Sequence, residues 1–262
     1  MTKHQTLTIV YIMQKTEKEQ KIDFESVKDN ASRIASHGQI LVASDRYNKV
    51  DKFFSNLSLG LVKKEEDYWS DLTIRDDAEY FARWVFGIMS VHTTWESNVR
   101  GYNLAMQDLS WTTSKDKLEQ MVIDAKVGMY ERRNKGLWQL VDKFREDPKQ
   151  FYKKEDETWQ ECRNRLIGSI YGLANAKTTY SIALAFPTEA RLCCLDVHLL
   201  RFMGHDLKKG HASNLKVYEE MENEWLDRCD KYDVSPNVAR EIYWNKVQNR
   251  RNSRYWSYCL ER

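Results

Sequence analysis

The sequence predicts an all-α protein on three observations. Only three of its 262 residues are proline and ten are glycine, too few for the turns of many short strands. Lys, Arg, Glu and Leu, which favour helices, are common throughout. Apolar residues recur at helical spacing, most clearly at Phe81, Trp84, Val85, Ile88 and Met89. A chain of this length buries a sufficient core without disulfides or metal.

Residues 1–75 mix a charge run at 15–21 with apolar patches at 40–42 and 53–61 and carry no chemical motif. They read as an N-terminal helical extension packing with the C-terminal part of the chain. Asp76 and Asp77 suit the start of a deeply buried helix that ends near Ser90, His92, Thr93 and Thr94. A second helical stretch follows through Val99, Tyr102, Leu104, Met106 and Leu109. Ser114 signals another start, and Gly128 interrupts the pattern before Tyr130, Arg132 and Arg133, which predicts a turn there. The helix through Leu137, Leu140, Val141 and Phe144 must stop before Pro148, whose ring disfavours helical geometry in the residue ahead of it.

Trp159, Cys162, Leu166 and Ile170 mark a further helix, expected to close at Gly172. A short hairpin, Gly172-Leu173-Ala174-Asn175-Ala176, then leads into a helix starting near Lys177, with Tyr180, Ile182, Ala183 and Leu184 on it and Pro187 as its limit. The apolar run Leu192-Cys193-Cys194-Leu195 precedes Asp196, placed to cap a helix over 197–203 that Gly204 stops. Residues 205–262 hold two more helices, the last interleaving Lys246, Arg250, Arg251 and Arg254 with Trp244, Tyr255, Trp256 and Tyr258.

The charge balance, 41 basic against 39 acidic residues, excludes binding driven by an overall positive field and leaves only local basic faces. Five cysteines include the neighbours Cys193 and Cys194 but no CxxC pair, so reduced thiols are expected, and no zinc ribbon. The apolar run at residues 7–13 is too short to span a bilayer and has no small-residue cleavage site. The expectation is an intracellular protein without membrane attachment.

The segment from Ile167 to Gly204, with its hairpin, Lys177 and Leu195-Asp196-Val197-His198, resembles the helix-hairpin-helix signature of the endonuclease III and oxoguanine glycosylase superfamily. The resemblance extends upstream through Ser90-Val91-His92-Thr93-Thr94 and Val127-Gly128-Met129-Tyr130, so it covers about residues 76–204. It implies a two-lobed helical fold with a cleft between the lobes. It also implies a DNA glycosylase that flips a damaged or modified base from duplex DNA, acts as a monomer and associates with DNA inside the cell.

By position, Lys177 matches the lysine that forms a Schiff base in bifunctional members, and Asp196 matches the catalytic aspartate. Gly172, Leu173, Ala174, Asn175 and Ala176 would hold a DNA phosphate through backbone N–H groups. His92 stands where a residue fills the gap left by the flipped base, and Trp95 and His198 are candidates for the substrate pocket. Arg132, Arg133, Arg250 and Arg251 would contact DNA, unless they are solvated helix faces. Two departures stand out. The usual Leu-Pro-Gly-x-Gly hairpin is here Tyr171-Gly172-Leu173-Ala174-Asn175, with Asn175 expected to tolerate the left-handed conformation. No cysteine cluster follows Gly204, so no iron–sulfur or other cofactor is expected.

Three alternatives stay open at this level. If Lys177 is a solvated, protonated lysine, Asp196 could orient a water instead, giving a monofunctional hydrolase. Cys194 to His198 and the aromatic C-terminus also resemble a phage-associated branch that hypermodifies thymine, which implies a base-modification enzyme of the same fold. Asp196 could also be a helix cap alone, in a non-catalytic DNA-binding module.

Overall fold

The computed structural model describes residues 49–205, 214–248 and 256–261. The chain divides into compact units of residues 1–50 and 51–262, and the helices that build the site belong to the second. Among the described residues there is no strand, in agreement with the predicted class.

The apolar patch at 53–61 is split in two. Phe53 and Phe54 are buried against Trp225, with ring centroids 5.9 and 4.8 Å away. The chain then breaks at Ser58, whose Oγ accepts from the Leu61 backbone N–H at 3.3 Å and caps helix α1 (Leu59–Asp71). Leu59 itself is exposed.

Helix α2 (Asp77–Met89) starts as the sequence predicts: Asp76 Oδ1 accepts from Glu79 N at 2.8 Å. From Trp84 to Met89 every residue is buried. Helix α3 (Trp95–Gln107) is capped by Thr94, a 3₁₀ turn follows at Leu109–Thr113, and Ser114 caps α4 (Lys115–Ala125). Gly128, at φ +70°, makes the predicted turn into α5 (Tyr130–Glu146), which ends before Pro148 as expected. These helices pack on one another in chain order, with α2 also touching α5.

The next helix, α6 (Trp159–Leu166), is shorter than predicted. It closes at Leu166, because Ile167 leaves the helical region and Gly168 turns left-handed at φ +75°. Helix α7 (Asn175–Ala185) then runs back through the centre, packed on α2 and α6. Its residues from Thr178 to Ala185 are all buried, which explains its lack of a polar face. After α8 (Val197–Phe202), α9 (Leu215–Lys231) and α10 (Pro236–Gln248) complete the second group, with α10 packed on α1, α8 and α9. A 3₁₀ turn at Ser257–Leu260 carries Tyr258, so Tyr258 is not on α10 as the sequence suggested. Arg250, Arg251, Arg254 and Tyr255 lie outside the described residues.

Helix α2 meets α7 tightly at Gly87. A Cβ added there would fall 2.0 Å from Ser181 Oγ, on the helix that carries Lys177. Gly87→Ala is therefore expected to push the two central helices apart and cost about 1–3 kcal/mol. Chemical denaturation of the variant against the parent chain measures it, and an unchanged midpoint would show that the contact yields freely.

Candidate active site

The hairpin between α6 and α7 is built on α5. Gly172 adopts φ +85°, and a Cβ there would lie 2.9 Å from Arg132 Cγ, so the turn both needs glycine and seats the Arg132 side chain. Gln139 Oε1 accepts from Tyr171 N at 2.7 Å, and Lys135 Nζ sits 4.0 Å from the centre of the Tyr171 ring. At Gly136 a Cβ would be 2.8 Å from Tyr171 O, so α5 and the hairpin meet backbone to backbone. Leu173 N donates to Ile170 O at 3.2 Å and closes the turn.

Asn175 does not take the left-handed conformation expected of it. It is the first residue of α7 and is buried, and Gly172 alone supplies the positive φ of the hairpin. Ala174 caps α7 without any side-chain hydrogen bond, so the helix start presents backbone N–H groups that no side-chain cap covers. Lys177 lies in this first turn, half-buried, with Nζ 5.1 Å from the Tyr180 ring centre. Burial is the main cause that pushes its pKa below the usual lysine value. Arg240 adds to that effect, against the opposite pull of Cys194 and Asp196.

Asp196 arrives by a different route. The buried run Leu192–Leu195 lies between helices, and side chains supply the hydrogen bonds of its backbone. Tyr218 O–H donates to Cys193 O at 2.9 Å while its oxygen accepts from Leu195 N at 3.1 Å, and Glu222 Oε1 accepts from Cys193 N at 2.9 Å. Arg240 Nε donates to Cys194 O at 3.2 Å. Asp196 then caps α8, its Oδ1 accepting from His198 N at 2.8 Å and Leu199 N at 2.9 Å. Its Oδ2 takes Arg240 Nη2 at 2.7 Å.

Arg240 is buried, and its Nη1 pairs with Glu241 next to it. Burial opposes its charge, yet Glu241, Cys194 and Asp196 around it raise its pKa well above the usual value. The Glu241 carboxyl is pushed up to about 7 by burial, despite Arg240 pulling it down. Lys177 and Asp196 thus share one electrostatic neighbourhood, joined through Arg240 and Tyr180.

An aromatic cluster adjoins this group. Trp95 stacks on Trp256 at 4.7 Å and meets Trp244 edge-on at 5.7 Å, while His198 meets Trp244 at 5.0 Å. The Tyr180 hydroxyl and the indole N–H groups of Trp244 and Trp256 are buried with no hydrogen-bond partner among the described residues. A cavity of about 790 Å³ borders the cluster, lined by Trp95, Trp256 and Tyr258 together with polar residues of α3.

The remaining sequence candidates separate. His92 is exposed on the α2–α3 turn at φ +47°. Arg132 lies against the hairpin, but Arg133 is only 1 % exposed and does not form the basic surface expected of it. Its guanidinium donates to Met89 O at 3.1 Å, Val91 O at 2.5 Å and the Gly128 carbonyl, satisfying the C-terminal carbonyls of α2 and the turn before α5. Arg250 and Arg251 lie outside the described residues. Arg240, Glu241, Tyr218 and Glu222 were missed. The available signal was an Arg-Glu pair flanked by Val238, Ala239, Tyr243 and Trp244, an apolar setting in which charges must be paired.

Among the described residues no group of His, Cys, Asp or Glu is placed to hold a metal ion, and no helix is long and apolar enough to cross a membrane. No protein-family model matches the chain, and no curated protein sequence matches it. Solved structures do share the fold. The 8-oxoguanine DNA glycosylase of Thermotoga maritima matches with a TM-score of 0.55 and 14% identity, over 86% of this chain and 98% of its own. That of Methanocaldococcus jannaschii matches with a TM-score of 0.62 and 15% identity, over 82% and 96%. The Methanocaldococcus jannaschii glycosylase/lyase bound to a 15mer DNA containing 8-oxoguanine gives 0.60 and 14%, over 80% and 98%. The chain therefore has the all-helical fold of these glycosylases.

Proposed function

We propose that this chain is a DNA glycosylase with an associated lyase step, acting on a base flipped out of duplex DNA. One observation carries the reading: Lys177 Nζ lies 5.1 Å from the Tyr180 ring centre and the guanidinium of Arg240, which holds Asp196 Oδ2 at 2.7 Å, lies 5.3 Å from the same ring centre. The fold shared with DNA glycosylases, one of them solved with DNA, supports duplex DNA as the partner.

The start of α7, which no side chain caps, would hold a phosphate and fix the neighbouring sugar. As the glycosidic bond breaks, its electron pair leaves with the base, which takes up a proton, and positive charge grows on the sugar. Asp196, a negative charge held by three donors, stabilises that charge. The Lys177 nitrogen bonds to the anomeric carbon and gives up one proton; the C1′–O4′ bond then breaks, the ring oxygen takes up a proton, and the nitrogen lone pair forms the C=N bond of a protonated Schiff base. The unpartnered donors of Tyr180, Trp244 and Trp256 can serve carbonyl oxygens of the extruded base.

The test is incubation with duplexes carrying different modified bases, 8-oxoguanine among them, or an abasic site, with and without borohydride. The parent chain is expected to give a reduced covalent adduct that Lys177→Ala reduces at least a hundredfold, on the order of one lost catalytic group. Mass spectrometry of the product separates release of a free base from retention of an altered one. Retained, altered base with no adduct would replace glycosylase by base modification.

A further inference from the structure

Arg240 touches both halves of the site. Its Nη2 lies 2.7 Å from Asp196 Oδ2, its Nη1 pairs with Glu241, and its guanidinium carbon is 5.3 Å from the centre of the Tyr180 ring, which also lies 5.1 Å from Lys177 Nζ. It is 3 % exposed, so water screens its charge poorly. We infer that Arg240, braced by Glu241, is a positioning residue that gives the bond-forming step to Lys177 and withholds it from a water at Asp196. The inference rests on the glycosylase reading and deepens it.

A carboxylate offers about four acceptor positions. Two backbone N–H groups and one Arg240 N–H fill three of them, leaving a single position at which to hold a water. Only the free amine attacks carbon, and the titratable groups facing this amine are Arg240 from α10 and Asp196 and the buried Cys194 thiol from the segment before α8. Arg240 is the cation among them and opposes a second positive charge at Lys177, in the same direction as burial. Removing it would free Asp196 Oδ2 and leave Lys177 beside a carboxylate that no buried cation pairs.

The test uses an abasic duplex, so it needs no knowledge of the target base. The Lys177 amine and the sugar aldehyde, with one proton from solvent, form the iminium and release water; borohydride then delivers hydride to the iminium carbon. Adduct yield is followed against pH for the parent chain and for Arg240→Gln, Arg240→Lys and Glu241→Gln. Arg240→Gln is expected to move the midpoint up by about one pH unit, a roughly tenfold loss of adduct at neutral pH. Arg240→Lys, which keeps the charge, stays near the parent midpoint, and Glu241→Gln moves it down. The last two keep the test decisive if Arg240→Gln does not fold. A parent chain that traps no adduct at any pH overturns the covalent lyase step on which this inference rests, and leaves base release by water to be read from the product. A trapping parent whose variants share its midpoint, or all shift the same way, overturns only the role of Arg240.

Discussion

Asp196→Asn is expected to fold and to lose base release by on the order of 10²–10³-fold, the scale of removing one stabiliser of transition-state charge. Asparagine is as good a helix cap as aspartate, so its oxygen can still accept from His198 N and Leu199 N. The cost to the fold is an amide nitrogen facing the Arg240 donors, about 1–3 kcal/mol, while Glu241 still compensates the arginine. Single-turnover kinetics well below the melting temperature separate the two effects. Full activity in the folded variant would reduce Asp196 to its capping role.

Glu222→Ala is expected to carry the largest stability loss, about 3–5 kcal/mol. Glu222 and Arg163 are both fully buried, and Glu222 Oε2 accepts from Arg163 Nη1 at 2.7 Å while its Oε1 accepts from Cys193 N. Truncation leaves a buried guanidinium whose remaining partners are Asn164 and the partly exposed Glu219, and a buried N–H without its carboxylate partner. Thermal unfolding should shift down by roughly 10 °C. Glu222→Gln, which keeps an acceptor for Cys193 N, should lose less. Because Cys193 and Cys194 lead directly into Asp196, loosening this segment should also lower activity in the fraction that remains folded. Melting curves equal to the parent's would show that Arg163 and Cys193 find other partners at no cost.

Much of this fold could be read from local chemistry. Asp76, Ser114, Gly128, Pro148 and Asp196 each mark a boundary because a cap, a left-handed turn or a missing N–H acts within a few residues of itself. The early end of α6 was not legible, since Gly168 and Gly172 are both suitable stops and the choice is made by the hairpin packing on α5 at Gly136 and Arg132. The same limit explains Arg133. Beside Arg132 it reads as a basic face, yet its fate depends on the carbonyls of a helix more than forty positions away in sequence.

Lys177 and Asp196 came forward only through the resemblance of one stretch of chain, the hairpin between α6 and α7 and the residues that follow it, to a known signature. Arg240 did not, because local sequence shows only that its charge must be paired, while its place beside Asp196 comes from α10 packing on α8. The charge balance of the whole chain was equally silent, since the site depends on a few buried charges whose neighbours, not their number, determine what they do.

The most direct measurement locates the covalent bond itself. After borohydride reduction on an abasic duplex and digestion of both polymers, peptide mass spectrometry should find the sugar remnant on the peptide containing Lys177. Attachment at another amine, with Lys177 unmodified, would contradict the account.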